Sequence, residues 1–299
     1  MSDMKVAIIG LDTSHSVAMP KLMNDPACEP DMKVPGMKAV TCLRFETPFQ
    51  GKEGLDNRQA QLEGWGVKVT LDFDEAIADC DVIMMEINDP AYHLDYFKRL
   101  ANLGKPIFLD KPMAANVAES REIMDLARRY GTRVWSGSSL PFSPAIKAAM
   151  EKTNGQQVVI GSCFGAMGTA PAGDSLIWYG VHSFEMLQRL MGTGAKLVRS
   201  IDNGVSIVTS VDYEDGRRGV IESIRGLWAY GGRIQTKNQV QFFNVDSSRL
   251  YHDLLVEVKA FFEGGEAPVP MEQTFEGMAM MEAARKSIET GRAVEVEKL

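Results

Sequence analysis

The sequence predicts an α/β protein whose N-terminal part is a doubly wound parallel sheet and whose C-terminal part is an α+β domain on a mainly antiparallel open sheet. Three observations predict it. Up to residue 137, short apolar runs alternate with amphipathic helical patterns, as strands joined by crossover helices require. Beyond Pro144, β runs follow one another with only turns between them, too closely spaced for parallel crossovers. At 299 residues the chain is also long for a single hydrophobic core, so two domains are expected.

In order, Lys5-Val-Ala-Ile-Ile-Gly10 is an apolar run ended by glycine, and Val17 to Asn24 reads as the helix that follows its polar turn. Further strands are expected over Lys38 to Arg44, Val67 to Leu71, Val82 to Ile87, Pro106 to Leu109 and Arg133 to Gly137. Between them, helical patterns cover Asp74 to Ala78, Tyr92 to Leu103 and Ala118 to Tyr130. The last two are followed by Gly104 and Gly131, and glycine suits the left-handed position past a helix end. Asn116 with Glu119 resembles a capping box. A sheet of this kind opens its ligand crevice beyond the carboxyl ends of its strands.

The second half begins with a helix over Ser143 to Lys152, a strand over Gln157 to Phe164 and a helix over His182 to Met191. Strands then succeed one another at Leu197 to Asp202, Val205 to Tyr213, Gly219 to Arg225, Gly231 to Thr236 and Val240 to Asn244. Turn pairs such as Asn203-Gly204 and Asp215-Gly216 join them. Helices over Ser248 to Glu263 and Met271 to Thr290 close the chain. No repeat or low-complexity linker intervenes, so the boundary, residues 121–145 between domains 1–120 and 146–299, is expected to be a packed junction. Apolar residues on both parities of the β runs leave a face to cover, which predicts a homodimer or homotetramer built through this sheet.

Composition narrows the function classes. A formal charge of -8 without any basic run disfavours a nucleic-acid partner. No apolar stretch approaches the roughly 20 residues of a membrane span, and the opening Met-Ser-Asp-Met-Lys has no signal-peptide profile, so a soluble cytoplasmic protein is expected. Cys28, Cys42, Cys80 and Cys163 are scattered without metal-ligand spacing and read as isolated reduced thiols.

Four local motifs carry the chemistry: Gly10 after the first strand, Asn88-Asp89-Pro90-Ala91-Tyr92-His93 after the fourth, Asp110-Lys111-Pro112 after the fifth, and Tyr179-Gly180-Val181-His182 opening a helix of the second half. In this order and spacing, along nearly the whole chain, they resemble the Gfo/Idh/MocA oxidoreductase family. The resemblance implies a Rossmann-type dinucleotide-binding domain, a substrate-binding and oligomerisation domain, and NAD or NADP as cofactor. The implied reaction is hydride transfer between nicotinamide and a hydroxyl-bearing carbon of a sugar, polyol or related small metabolite. By the same resemblance Lys111 and His182 carry the proton, and Trp178 and Tyr179 join them around the substrate. Gly10, Asp12, Thr13, Ser14, His15, Arg44, Asn88, Asp89, His93, Asp110 and Lys111 then line the cofactor, and no metal is implied.

Several positions depart from the family pattern, and each motif has a local structural reading beside the functional one. The glycine-rich turn is here Gly10-Leu11-Asp12-Thr13-Ser14-His15, so a carboxylate at position 12 crowds and repels a pyrophosphate, while Thr13, Ser14 and the helix amides still offer donors. Ser14 or Ser16 serves equally as a helix cap, and Asp89 with Pro90 reads as a cap and first helical residue. No acid stands at the tip of the second strand, where Arg44 suits a 2′-phosphate, a slight tilt toward NADP. Lys111 otherwise simply ends a strand, and His182 otherwise caps a helix. Trp178 stands where the family has an aspartate, which removes one member of the proton relay and leaves an indole to stack on a sugar or fill core. In Gly137-Ser138-Ser139-Leu140-Pro141-Phe142-Ser143-Pro144 an arginine common to the family is not present. Two alternatives therefore stand beside the dehydrogenase: a redox-inactive binding or regulatory protein, and a metal-dependent lyase or isomerase in which His182 and Glu185 combine with Asp12, His15 or His93.

Overall fold

The computed structural model describes residues 3–299; Met1 and Ser2, at the head of the N-terminal stretch read above, lie outside them. Two compact units divide the chain.

The first unit holds the described residues up to Met113, with Glu122–Gly137 and Tyr251–Pro270. Its strands are β1 (Met4–Ile9), β2 (Met37–Leu43), β3 (Lys68–Thr70), β4 (Val82–Met85), β5 (Ile107–Asp110) and β6 (Val134–Gly137). They pair in parallel in the order β3-β2-β1-β4-β5-β6. Helices α1 (His15–Asn24), α2 (Lys52–Gly64), α3 (Phe73–Ile77), α4 (His93–Leu100) and α5 (Val117–Tyr130) connect them. Every residue of β4, β5 and β6 is buried, as expected of strands covered on both faces. The order reverses between β1 and β4, and there neighbouring crossovers leave to opposite faces and open a crevice.

Most of these elements lie within a residue or two of their expected bounds. Helix α2 does not appear in the sequence reading, because only Leu55 and Leu62 of its 13 residues are buried and no apolar stripe marks it. The expected helix over Tyr92 to Leu103 is divided into α4 and a following 3-10 turn, Ala101–Leu103, that ends at left-handed Gly104. The Asn116–Glu119 cap is present: the Glu119 N–H donates to Asn116 Oδ1 at 2.9 Å, and Glu119 accepts from the Ala115 N–H at 3.3 Å.

The second unit holds Ala114–Arg121, Ser138–Leu250 and Met271–Leu299. Its strands β7 (Ile160–Met167), β8 (Ala195–Asp202), β9 (Ser206–Tyr213), β10 (Arg218–Arg225), β11 (Gly231–Gln235), β12 (Val240–Asn244) and β13 (Val294–Glu295) form a sheet ordered β12-β11-β7-β10-β9-β8-β13. All pairs are antiparallel except β7 with β10. Helices α6 (Pro144–Glu151), α7 (Val181–Met191) and α9 (Met271–Thr290) belong to this unit. Helix α7 packs so closely on the sheet that a Cβ on Gly219 of β10 would meet Leu187 at 2.6 Å.

The units are not the contiguous segments 1–120 and 146–299. Helix α8 (Leu250–Phe262) returns the chain to the first unit from Tyr251 on, while Ala114–Arg121 belongs to the second. The return is held by Arg133, which donates to Phe261 O at 2.7 Å and Gly265 O at 2.6 Å, and by Trp135 packed edge-on against Phe261. All four cysteines are free and buried.

Candidate active site

The turn after β1 allows only glycine at position 10. Gly10 has φ 105°, and a Cβ there would lie 2.5 Å from Glu86 O. Asp12, two residues on, is buried, and its carboxylate is not presented to the crevice as the sequence suggests. Oδ1 accepts the Asn88 N–H at 2.9 Å and Oδ2 accepts the Thr47 hydroxyl at 2.7 Å. The side chain thus ties the β1 turn to the loop after β4 and to the segment after β2. Burial raises the Asp12 pKa above the usual carboxylate value, against the opposing effect of the hydrogen bonds from Asn88 and Thr47. Arg58 of α2 donates to Leu11 O at 2.9 Å and fastens the same turn from the other side.

The serines of this turn do other work than capping. Helix α1 begins at His15 with no side-chain cap from Ser14, whose Oγ lies 3.3 Å from Tyr251 Oη. Ser16 is buried and donates to Glu86 O at 3.3 Å. The Thr13 hydroxyl accepts from the His15 N–H at 3.3 Å.

Beyond the ends of β1, β4 and β5 lie His15, Glu86, Asp110 and Lys111. Glu86, Asp110 and Lys111 are at most 3% exposed, so three titratable side chains are gathered where water does not reach. His15 Nδ1 is 2.8 Å from Asp110 Oδ2 and 3.8 Å from Glu86 Oε2. The shorter approach has the distance of an ion pair but lies off the line of a good hydrogen bond. Burial, reinforced by the Asp110 charge, pushes the Glu86 carboxyl well above its ordinary range. Asp110 is pushed the same way by burial, but His15 and then Lys111 outweigh it and hold the group ionised. Glu86 does not figure among the residues picked out from the sequence. Its signal was an acid interrupting the apolar run Val82 to Ile87.

Asp89 caps the 3-10 turn Pro90–Tyr92 through the Ala91 N–H at 3.0 Å, with Pro90 in the first position. His93 is fully buried, with Nε2 2.8 Å from Ile87 O and Nδ1 3.3 Å from Met113 O. Its ring bridges the loops that carry Asn88 and Lys111. At the tip of β2, Arg44 is paired with Asp56 at 2.5 Å and bonded to Gln59 at 2.5 Å. Beside it opens a cavity of about 370 Å³ lined by Arg44, Phe45, Lys52, Gln59, Thr70 and Leu71, among others. In doubly wound folds the adenosine ribose lies at this strand end. A tight glycine turn, an accessible helix N-terminus and a cavity at the β2 tip fit a dinucleotide.

In the second unit, a five-residue π-helix, Leu176–Gly180, runs into α7 and carries Trp178 and Tyr179. Tyr179 packs edge-on against His182 at 5.1 Å and against Trp228 at 5.7 Å, and His182 packs edge-on against Tyr230 at 6.1 Å. Burial raises the Tyr179 pKa, opposed by a hydrogen bond with Tyr230. The Trp178 ring covers Gly168, where a Cβ would come within 3.2 Å of it. Glu185 accepts the Ser138 N–H at 2.8 Å, so the acid imagined as a metal partner of His182 holds the loop after β6. Trp228 and Tyr230 were not singled out in the sequence, where they read only as residues flanking a strand.

These features define a dinucleotide-binding α/β protein with a separate sheet unit. Residues 4–138 match the model of the oxidoreductase family GFO_IDH_MocA, described as an NAD-binding Rossmann fold. YrbE of Bacillus subtilis (strain 168), an uncharacterized oxidoreductase, is 22% identical over 247 residues, 74% of this chain and 68% of that protein. Among solved structures, GenD2 from gentamicin A biosynthesis in complex with NAD superposes with a TM-score of 0.80 at 16% identity, over 99% of this chain and 97% of that one. Myo-inositol 2-dehydrogenase from Lactobacillus plantarum gives a TM-score of 0.80 at 13% identity, over 99% and 100% of the two chains. At these identities the structural likeness establishes the fold across both units.

Proposed function

We propose that this protein is an NAD(P)-dependent oxidoreductase acting on a hydroxyl-bearing carbon of a sugar, polyol or related small metabolite. The observation that carries the reading is Lys111, buried at the end of β5 beside Asp110 in the strand-end crevice of an NAD-binding fold. The bound nicotinamide supplies or accepts the hydride. The turn at Gly10 and the N-terminal amides of α1 would hold the diphosphate, with Thr13, Ser14 and Asn88 as further donors. Lys111 moves the proton of the reacting hydroxyl, and within the second unit His182, Trp178 and Tyr179 offer a polar tip and apolar faces suited to a hydroxylated ring. His93 and Asp89 position the loop that carries Asn88.

The pairing of Arg44 with Asp56 bears on the nucleotide. A 2′-phosphate at the β2 tip meets a cation whose charge is already matched, with a carboxylate beside it. NAD is therefore accepted at least as well as NADP, against the tilt drawn from Arg44 alone. A second reading, a binding protein without redox turnover, is favoured by Trp178 in place of the relay aspartate. Absorbance in the reduced-nicotinamide band, followed over a panel of polyols and sugars, separates the two. The dehydrogenase reading requires turnover that falls at least about 100-fold in Lys111→Ala; nucleotide binding without turnover on any substrate supports the second.

The second sheet leaves Ile201, Val208, Val240 and Phe242 exposed on strands β8, β9 and β12, with Phe242 77% exposed. A homodimer or homotetramer that covers this face is part of the proposal. Among the described residues no helix is long and apolar enough to cross a membrane. A cytoplasmic location, with small molecules and its own copies as partners, is part of the same proposal, and the net charge of -8 disfavours nucleic acid.

A further inference from the structure

Three potential metal ligands converge at the carboxyl ends of the first sheet, where hydride transfer makes no use of two of them. His15 opens α1, Glu86 follows β4 and Asp110 ends β5; one ligand atom from each lies within 4.8 Å of the other two. Glu86 and Asp110 are each 1% exposed; neither Glu86 oxygen has a hydrogen-bond partner, and the Asp110 oxygens meet only the His15 ring, off the line of a good hydrogen bond, and the Lys111 backbone N–H. His15 Nδ1, turned toward both acids, makes no well-formed hydrogen bond either. Native proteins rarely leave such atoms facing one another in a dry place, because each unmade bond forfeits hydration without return.

Charge points the same way. Two buried carboxyl groups face the same point, an arrangement that attracts a cation. A divalent cation at the convergence point gives one atom of each of the three side chains a partner. The geometry is close to what coordination needs. At metal–ligand bonds of about 2.0–2.2 Å, neighbouring ligand atoms stand roughly 3–3.5 Å apart; the two separations from His15, 2.8 and 3.8 Å, bracket that interval, and the two acid oxygens lie within 4.8 Å of one another. The His15 ring is held edge-on by Tyr251 at 5.0 Å, an outer contact that fixes the direction of Nδ1.

We propose that His15, Glu86 and Asp110 form a binding site for a first-row divalent transition-metal cation. One imidazole nitrogen and two carboxylate oxygens, without sulfur, suit Mn²⁺, Fe²⁺, Co²⁺ or Zn²⁺ over softer ions. Three protein ligands leave a coordination position for water or another oxygen. The site differs from the sequence expectation of no metal and from a cluster built on His182 and Glu185. It stands whether or not a dinucleotide binds.

The test uses the full-length protein, stripped with chelator and kept free of nucleotide. Co²⁺ is titrated with visible absorption and calorimetry as readouts, and Zn²⁺ is then used to displace it. One equivalent of Co²⁺ with a dissociation constant in the micromolar range or tighter is expected, with d–d bands that Zn²⁺ removes. Glu86→Gln and Asp110→Asn, which keep side-chain volume, should each weaken binding at least tenfold. His252→Gln should leave it unchanged, since His252 beside Asp253 at 3.0 Å is the other histidine of this unit with a carboxylate neighbour. Where either isosteric variant fails to fold, His15→Gln at the rim takes its place. Absence of binding below millimolar Co²⁺, binding indifferent to Glu86→Gln and Asp110→Asn, or binding abolished by His252→Gln would each overturn the proposal.

Discussion

The Asn88 backbone N–H donates to Asp12 Oδ1 at 2.9 Å, so the carboxylate that replaces the second glycine of the nucleotide turn is satisfied within the protein. Removing it therefore tests folding as well as binding. Asp12→Ala orphans the Asn88 N–H and the Thr47 hydroxyl and should cost about 1–3 kcal/mol of stability, read from urea unfolding. No loss would show that water replaces the side chain.

Asp12→Asn keeps the acceptor for Asn88 and turns an amide toward the Thr47 oxygen, while removing the charge. Because burial raises the Asp12 pKa, the wild-type carboxyl binds its proton more tightly folded than unfolded. That contribution to stability is complete below the ordinary carboxylate value near pH 4 and is lost as pH rises through the elevated folded value. Melting temperatures followed upward from pH 4 should thus fall in the wild type relative to Asp12→Asn. A gap that does not change with pH would mean that the hydrogen bonds fully offset burial.

Gly10→Ala places a Cβ 2.5 Å from Glu86 O at a backbone φ of 105°. Strain and overlap together should cost roughly 2–4 kcal/mol and weaken nucleotide binding. A variant with wild-type melting temperature and affinity would show that the turn can relax.

Asp56→Ala releases Arg44 from its ion pair at the β2 tip. With that exposed carboxylate gone, the ratio of NADPH to NADH affinity should rise by up to about fivefold in fluorescence titrations. Arg44→Ala should move it the other way. An unchanged ratio in both variants would place the 2′-position elsewhere.

Phe242→Lys sets a charge among the exposed apolar residues of the second sheet. Light scattering at micromolar concentration should give an oligomer for the wild type and a smaller mass for the variant. A wild-type monomer would remove the role assigned to this face.

The strands of the first sheet were legible because buried parallel strands are short, apolar and punctuated by glycine, as in Lys5 to Gly10. Helix α2 was not, since two buried leucines make no readable stripe. The caps at Asp89 and Asn116 were visible because capping is local, a matter of residues two or three positions apart. Asp12 was recognised as an anomaly, but the sign of its effect was hidden: its partners, Thr47 and Asn88, lie 35 and 76 residues away. The same distance in sequence concealed the meeting of His15, Glu86 and Asp110, and the return of Tyr251–Pro270 to the first unit.

By itself the sequence determined the class of each half, most of its elements in order and the positions of Gly10, Lys111 and His182, because periodicity, turn residues and short motifs are properties of neighbouring residues. Only the tertiary structure decided which of those side chains are spent on one another, since burial and pairing depend on what the fold brings together from distant parts of the chain. That is why Arg44 and Asp12, alike in promise as cofactor contacts, are bound instead to Asp56 and Asn88, while His15 and Asp110 face an acid no motif announced.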